Sequence, residues 1–200
     1  MQKGLDVKVW NSKQLPKDWF KRQQVDQKTT ADLEANVKNI ISQVRAEGDK
    51  ALLYFALKFD KAKLTQSTLK VSPDEIKEAY SRVTREQVAA IEFMKHRVSV
   101  FQKQLLVDTE VKAFNEGIMV QTVLRPIESV GCYVPGGQAA YPSTVVMTAL
   151  VAKIAGVSRI VVCSPSDVEG KINPLVLVAS DLCGVTEIYK VGGAQAIAAL

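Results

Sequence analysis

The sequence predicts an α/β protein, with a mainly helical region over residues 1–124 leading into a parallel β/α domain over residues 125–200. Three observations point to it. After Arg125, short apolar strand-like runs alternate with single helical runs, which requires crossover connections and hence a parallel sheet. Charge and glycine shift in opposite directions near Arg125-Pro126. Residues 1–124 hold 21 Lys/Arg and 16 Asp/Glu, residues 125–200 hold five of each, and eight of the eleven glycines fall between Gly131 and Gly193. Finally, the stretch from Ser129 to Thr144 reads as a strand, a Pro135-Gly136-Gly137 turn and a helix start. Proline fixes one backbone angle and glycine opens conformations closed to other residues, so the chain must turn sharply there.

Taken in order, the first thirty residues are polar and irregular, with Trp10, Trp19 and Phe20 as candidate anchors. Helical spacing begins at Thr30: Thr29 with Asp32 forms a capping-box start, and Leu33, Val37, Ile40 and Val44 share a face up to Gly48. Asp49 is expected to cap a second helix carrying Leu52, Leu53, Phe55, Ala56 and Phe59. Leu69-Lys70-Val71 reads as a short strand. Ser72-Pro73-Asp74-Glu75 is a full helix-start signature, with a cap, proline at the first position and a glutamate reaching back. Thr84 to Gln87 repeats the cap before a long helix whose Val88, Ile91, Met94, Val98, Phe101 and Leu105 form a seam. That seam suits core packing or a second subunit. A hairpin is expected from Glu110 to Leu124, turning at Asn115-Glu116-Gly117.

The second part then cycles. A strand from Val130 to Val134 precedes a helix from Val145 to Ala155, capped by a hydroxyl of Ser143 or Thr144 and stopped by Gly156. A strand from Arg159 to Cys163 leads through Ser164-Pro165-Ser166 to a helix opening at Pro174 and closed by Gly184. The last strand, Glu187 to Val191, runs into Gly192-Gly193 and a helix at Ala194-Gln195. In a parallel sheet the three loops after the strands emerge at one edge, where ligands bind. Tyr133 offers a ring and a hydroxyl there, and the Gln195 amide can donate and accept. With no carboxylate or imidazole placed among these loops, the edge suits a nucleotide better than a metal.

Composition excludes several classes. The net charge of +5 comes from basic residues that alternate with acids at helical spacing, the pattern of solvated helix faces and not of a nucleic-acid footprint. No apolar run reaches the length of a membrane span, and Met1-Gln2-Lys3-Gly4-Leu5-Asp6 lacks a signal-peptide core, so a cytoplasmic protein is expected. Cys132, Cys163 and Cys183 are an odd set without CxxC spacing, read as buried and reduced. His96, the single histidine, reads as an exposed helix residue. A G-x-G-x-x-G fingerprint is absent, and Gly131 to Gly136 has Walker spacing but is followed by Gly137-Gln138 in place of Lys-Ser/Thr. With one histidine, no metal-ligand cluster or Ser-His-Asp set can be assembled.

The residues carry one further signal. Arg125 through Gly137, Ala139 through Val145 and Val191 through Leu200, including Tyr133-Val134-Pro135-Gly136-Gly137 and Gly192-Gly193-Ala194-Gln195, strongly resemble histidinol dehydrogenases. The likeness extends upstream more weakly through Gly48-Asp49-Lys50-Ala51-Leu52 and Lys58-Phe59-Asp60. The resemblance implies a zinc-dependent enzyme of histidine biosynthesis that oxidises L-histidinol to L-histidine through the aldehyde, reducing NAD twice. It implies intertwined homodimers built on incomplete Rossmann-like domains, residues 125–200 being the NAD-binding one, truncated at its C-terminal end. It places Tyr133 and Gln195 against NAD, with Pro135 and Pro165 lining the same site. Family members are longer, and their zinc ligands, acid/base pair and a third cofactor contact lie beyond the position of Leu200. The 200-residue chain is therefore expected to be the N-terminal part of such an enzyme, inactive alone. Two alternatives remain at this point: a related dehydrogenase of another small alcohol, such as a sulfonated diol, or a non-catalytic nucleotide-binding module.

Overall fold

The computed structural model describes Asn11 and residues 27–109, 111–136 and 139–200. Trp10, Trp19, Phe20, Glu110, Gly137 and Gln138, all named above, lie outside the described residues. The chain divides into two compact units, residues 1–36 and 37–200. Helix α1 (Gln27–Glu47) begins in the first and ends in the second. Thr29 thus lies inside α1 and not at the position before its first residue. In the second unit Ile40 is half-buried and Val44 buried, whereas Leu33 in the first is exposed.

Gly48 takes φ +57°, a conformation closed to most residues, and so breaks the helix. Asp49 is then the first residue of α2 (Asp49–Phe55) and makes no cap bond. Its carboxylate instead accepts from Gln66 Nε2 at 3.2 Å. Helix α2 continues as a π-helical turn (Ala56–Asp60). The strand expected at Leu69-Lys70-Val71 is a helical turn, α3 (Gln66–Leu69), followed by a single antiparallel bridge from Lys70 to Tyr189. A Thr65/Thr68 capping box holds the turn before it and Pro73 opens α4 (Pro73–Ser81) just after, which leaves room for one paired residue.

The Ser72 and Glu75 caps form as expected, with Glu75 N–H donating to Ser72 Oγ and Ser72 N–H to Glu75 Oε2. Thr84 and Gln87 exchange the same pair of bonds ahead of α5 (Arg85–Thr109). The α5 seam divides. Val88, Ile91, Met94 and Val98 pack into the core, while Phe101 and Leu105 are exposed. His96 is exposed, as expected. Strands β1 (Lys112–Asn115) and β2 (Ile118–Gln121) form the hairpin, turning through Glu116 and Gly117, both at positive φ.

Strands β3 (Ser129–Tyr133), β4 (Arg159–Cys163) and β5 (Glu187–Tyr189) make a parallel sheet in that order. Between β3 and β4, α6 (Pro142–Val145) passes through a π-helical turn (Val146–Leu150) into α7 (Val151–Ile154). No hydroxyl caps α6. Pro142 occupies its first position, so Ser143 and Thr144 lie inside the first turn. Helices α8 (Pro174–Leu182) and α9 (Gly193–Ala199) follow β4 and β5, with Asn173 Oδ1 capping α8.

Strand residues alternate between two cores because successive side chains point to opposite faces. Cys132, Val162 and Ile188 face a layer of α4, α5, α6–α7 and α8. Val161 and Cys163, with half-buried Tyr133 and Tyr189, face Val44 of α1, Leu52 and Phe55 of α2, and Ala196 of α9. The helices before Arg125 and the β/α units after it therefore share both cores. Tyr80 Oη donates to Asp181 Oδ2 at 2.7 Å, tying α4 to α8, and burial with that bond pushes the phenol up to about 12. All three cysteines are free and buried. Burial raises their thiols, Cys163 and Cys183 to about 11, so they are packing residues and not nucleophiles.

Candidate functional site

Register sets the site. Tyr133 pairs with Cys163 and Cys163 with Tyr189, so the three strands end level and their following loops leave from one edge. Two bonds extend the ladder past those ends: Val134 N–H to Cys163 O at 2.8 Å and Ser164 N–H to Tyr189 O at 3.1 Å. The loops then touch. A Cβ built on Gly136 would lie 2.5 Å from Pro165 Cγ, and one on Gly192 would lie 2.5 Å from Pro165 Cβ. Pro165, half-buried, is thus wedged between glycines of the first and third loops, and neither glycine can be replaced without moving it.

Tyr133 joins the same knot. Its hydroxyl accepts the Gly193 N–H at 3.2 Å, two residues before Gln195. Gln195 stands in the first turn of α9 and is only 1% exposed, yet its Oε1 has no hydrogen-bond partner among the described residues. A buried amide oxygen without a donor is costly, so such an atom marks a place where another group belongs. Gly193, at φ +65°, lies against that amide, a Cβ there being 2.7 Å from Gln195 Oε1. Of the four residues singled out in the sequence, Tyr133, Pro165 and Gln195 meet in this cluster. Pro135 is exposed on the first loop beside Gly136.

A second feature adjoins the edge and escaped the sequence reading. A cleft of about 410 Å³ lies beside the loop after β4, walled by Asp60, Arg82, Ser166, Asp167, Lys171 and Asn173 among others. Asp60 Oδ2 and Ser166 Oγ, both buried, have no partner among the described residues. Burial pushes the Asp60 carboxyl up from its ordinary range. Asp60 closes the π-helical turn after α2, about a hundred residues from Ser166, and no spacing rule links such positions.

Elsewhere the titratable groups are structural. Lys190, 4% exposed at the end of β5, pairs with Glu75 Oε1 at 2.5 Å. Arg159 grips Glu187 with two bonds of 2.8 and 2.9 Å at the opposite ends of β4 and β5, and that bond holds the Glu187 carboxyl low. A cleft of about 300 Å³ opens over the α2/α9 face of the sheet, walled by Ser129, Gly131, Arg159 and Leu200. None of Tyr133, Pro135, Pro165 or Gln195 lines it, so the strand-end loops and not this cleft are the candidate site. Among the described residues no three His, Cys, Asp or Glu side chains are grouped to hold a metal, and no helix is long and apolar enough to cross a membrane.

Comparison with known proteins gives this edge a context. The family model for histidinol dehydrogenase matches residues 22–200. The chain is 44% identical over 173 residues to the histidinol dehydrogenase of Clostridium acetobutylicum, covering 86% of this chain and 40% of that one. It is 47% identical over 165 residues to that of Methanocaldococcus jannaschii, covering 82% and 38%. With that of Caldanaerobacter subterraneus subsp. tengcongensis it shares 42% over 198 residues, covering 99% and 44%. Its fold is similar to the crystal structure of histidinol dehydrogenase from Elizabethkingia anophelis, with a TM-score of 0.79 at 37% identity, covering 89% of this chain and 40% of that chain. The chain thus spans well under half the length of these relatives. By sequence over most of its length and by its fold, this chain belongs to the histidinol dehydrogenase family.

Proposed function

We propose that this chain forms the NAD-binding part of an enzyme that oxidises L-histidinol to L-histidine through the aldehyde, in the histidine biosynthesis of the cytoplasm. The observation that carries the reading is the strand-end cluster of Tyr133, Pro165 and Gln195, with a buried amide oxygen left open in it. Residues 125–200 supply that edge, and residues 37–124 pack against both faces of its sheet. Tyr133 and Gln195 would contact the cofactor and Pro135 and Pro165 would line it. Glycine at 136 and 192 lets Pro165 pack between the first and third loops, where a side chain at either position would displace it. Bound NAD supplies the hydride acceptor. Gln195 would orient it through its side-chain amide, and Pro165 and Pro135 would line the place it occupies.

Zinc does not fit the described residues, which contain no grouped ligands. The family resemblance puts the ligands and the acid/base pair beyond Leu200. A dehydrogenase needs a base within hydrogen-bond reach of the substrate hydroxyl, so the 200-residue chain should bind NAD without turning over histidinol. A homodimer is part of the same proposal. Hairpin residues Phe114 (76% exposed), Ile118, Met119 and Val120, with Phe101 and Val107 of α5, present the apolar surface that a second copy would cover.

Calorimetric titration of NAD into the chain tests the reading. Binding that weakens about tenfold in Tyr133→Phe or Gln195→Ala supports it, in line with the loss of one well-placed hydrogen bond. Unchanged affinity in both variants would move the cofactor elsewhere.

A further inference from the structure

Three buried side-chain oxygens among the described residues lack partners. Gln195 Oε1 is at the strand-end cluster. Ser166 Oγ follows Pro165 directly, and Asp60 Oδ2 shares a cleft with it. The other polar groups of that cleft are already engaged. Asp167 Oδ1 accepts from the Glu169 and Lys171 N–H groups, each at 2.9 Å. Asn173 Oδ1 caps α8. Lys171 Nζ is bonded to Glu78 at 2.6 Å, and the same carboxylate lies 3.9 Å from Arg82.

This arrangement selects a chemical class. Lys171 and Arg82 share the Glu78 carboxylate, and two more acids, Asp60 and Asp167, stand in the wall, so three acids face two bases and an anion such as phosphate is disfavoured. An ionised carboxylate oxygen only accepts, and a serine hydroxyl can do either. The missing partner is therefore a neutral hydroxyl donor with a second polar atom beside it. In parallel nucleotide-binding sheets, a glycine turn after one strand handles the phosphates, and an acidic side chain near the next strand's end takes the ribose hydroxyls. Here β4 is that next strand, and Ser166 is in its loop. Asp60 reaches the place from the end of α2's π-helical turn instead of from the strand itself.

We propose that the Asp60–Ser166 cleft binds the vicinal diol of the adenosine ribose, with the Asp60 carboxylate accepting from it and Ser166 Oγ completing the pair. The inference rests on the NAD reading above and deepens it, naming the residues that would favour a free 2′-hydroxyl over a 2′-phosphate. Ser166 Oγ has no partner among the described residues, so a diol bonded to it would break no protein hydrogen bond there.

The test titrates NAD and NADP into the full 200-residue chain and into Asp60→Asn and Ser166→Ala, with circular dichroism confirming the fold of each variant. NAD should bind the unaltered chain at least about tenfold more tightly than NADP. Asp60→Asn should weaken NAD by about tenfold, the scale of a hydrogen bond to a charged group, and narrow the gap to NADP. Ser166→Ala should weaken NAD by a few-fold. If NAD binds but both variants hold its affinity within about twofold, the cleft holds only water, and this inference falls while the cofactor reading stands. If NADP binds the unaltered chain as tightly as NAD, the diol assignment falls. If NAD fails to bind at millimolar concentration, both readings fall together.

Discussion

Replacing Gly193 with alanine tests how the site is built, because its effect separates into two parts. The residue sits at φ +65°, where an L-residue with a Cβ is strained by about 1 kcal/mol. A Cβ there would also lie 2.7 Å from Gln195 Oε1 and 3.2 Å from its Nε2. Gln195 is almost wholly buried, so its amide cannot swing into solvent. Moving it should cost a further 1–2 kcal/mol or so, the scale of overpacking a filled interior. Gly156→Ala isolates the first part. That residue has φ +87° but meets only Pro126 at 3.5 Å, an ordinary contact. Urea unfolding should therefore show Gly193→Ala destabilised by about 2–3 kcal/mol and Gly156→Ala by about 1, with equal slopes in both. Equal losses in the two variants would refute the reasoning, since Gln195 would then be free to yield.

Four other outcomes follow from the geometry. Asp60→Asn should stabilise the ligand-free chain at neutral pH. Burial raises the native carboxyl above its ordinary 3.8, so the native state holds its proton more tightly and wild-type stability falls as pH rises through the native value. The variant's advantage should vanish below about pH 4, which thermal melts across pH would show; a variant less stable at pH 7 would contradict it. Glu75→Gln keeps an acceptor for the Ser72 cap but strands the buried Lys190 ammonium, and should lose about 3 kcal/mol in urea unfolding. Lys190→Met should lose clearly less, and the double variant no more than Lys190→Met; equal losses from both singles would sink the pairing argument. Phe55→Ala, in the core against α9, should lose about 3–5 kcal/mol by the same assay. The hairpin variant Phe114→Glu with Ile118→Lys should leave stability unchanged and lower the mass measured by light scattering, if a second copy covers that surface.

Much of the fold was legible because it is local. The Ser72-Pro73-Asp74-Glu75 and Thr84–Gln87 caps form as read, since each bond joins residues three apart and needs no distant partner. The alternation of strands and helices after Arg125 yields a parallel sheet because a helix between two strands carries the chain back to run in the same direction. Misreadings arose where a neighbour outranked local preference. Asp49 looked like a cap, but the positive φ of Gly48 gives that role to the glycine and sends the carboxylate to Gln66. Leu69-Lys70-Val71 had the composition of a strand, but a capping box before it and a helix-opening proline after it leave one bridged residue.

Where the chain must turn, and which residues follow the strand ends, can be read from neighbouring residues alone. Tyr133, Pro135, Pro165 and Gln195 could be named because a glycine or proline beside a strand end is a one-dimensional signal. What those loops do together came from long-range packing: Pro165 wedged between Gly136 and Gly192, Tyr133 bonded to Gly193, and the Gln195 oxygen closed off from solvent. It also brought Asp60 into one cleft with Ser166. The physical reason is that burial and an unmade hydrogen bond belong to the folded chain, where segments far apart in sequence exclude water from one another, and no residue carries either property alone.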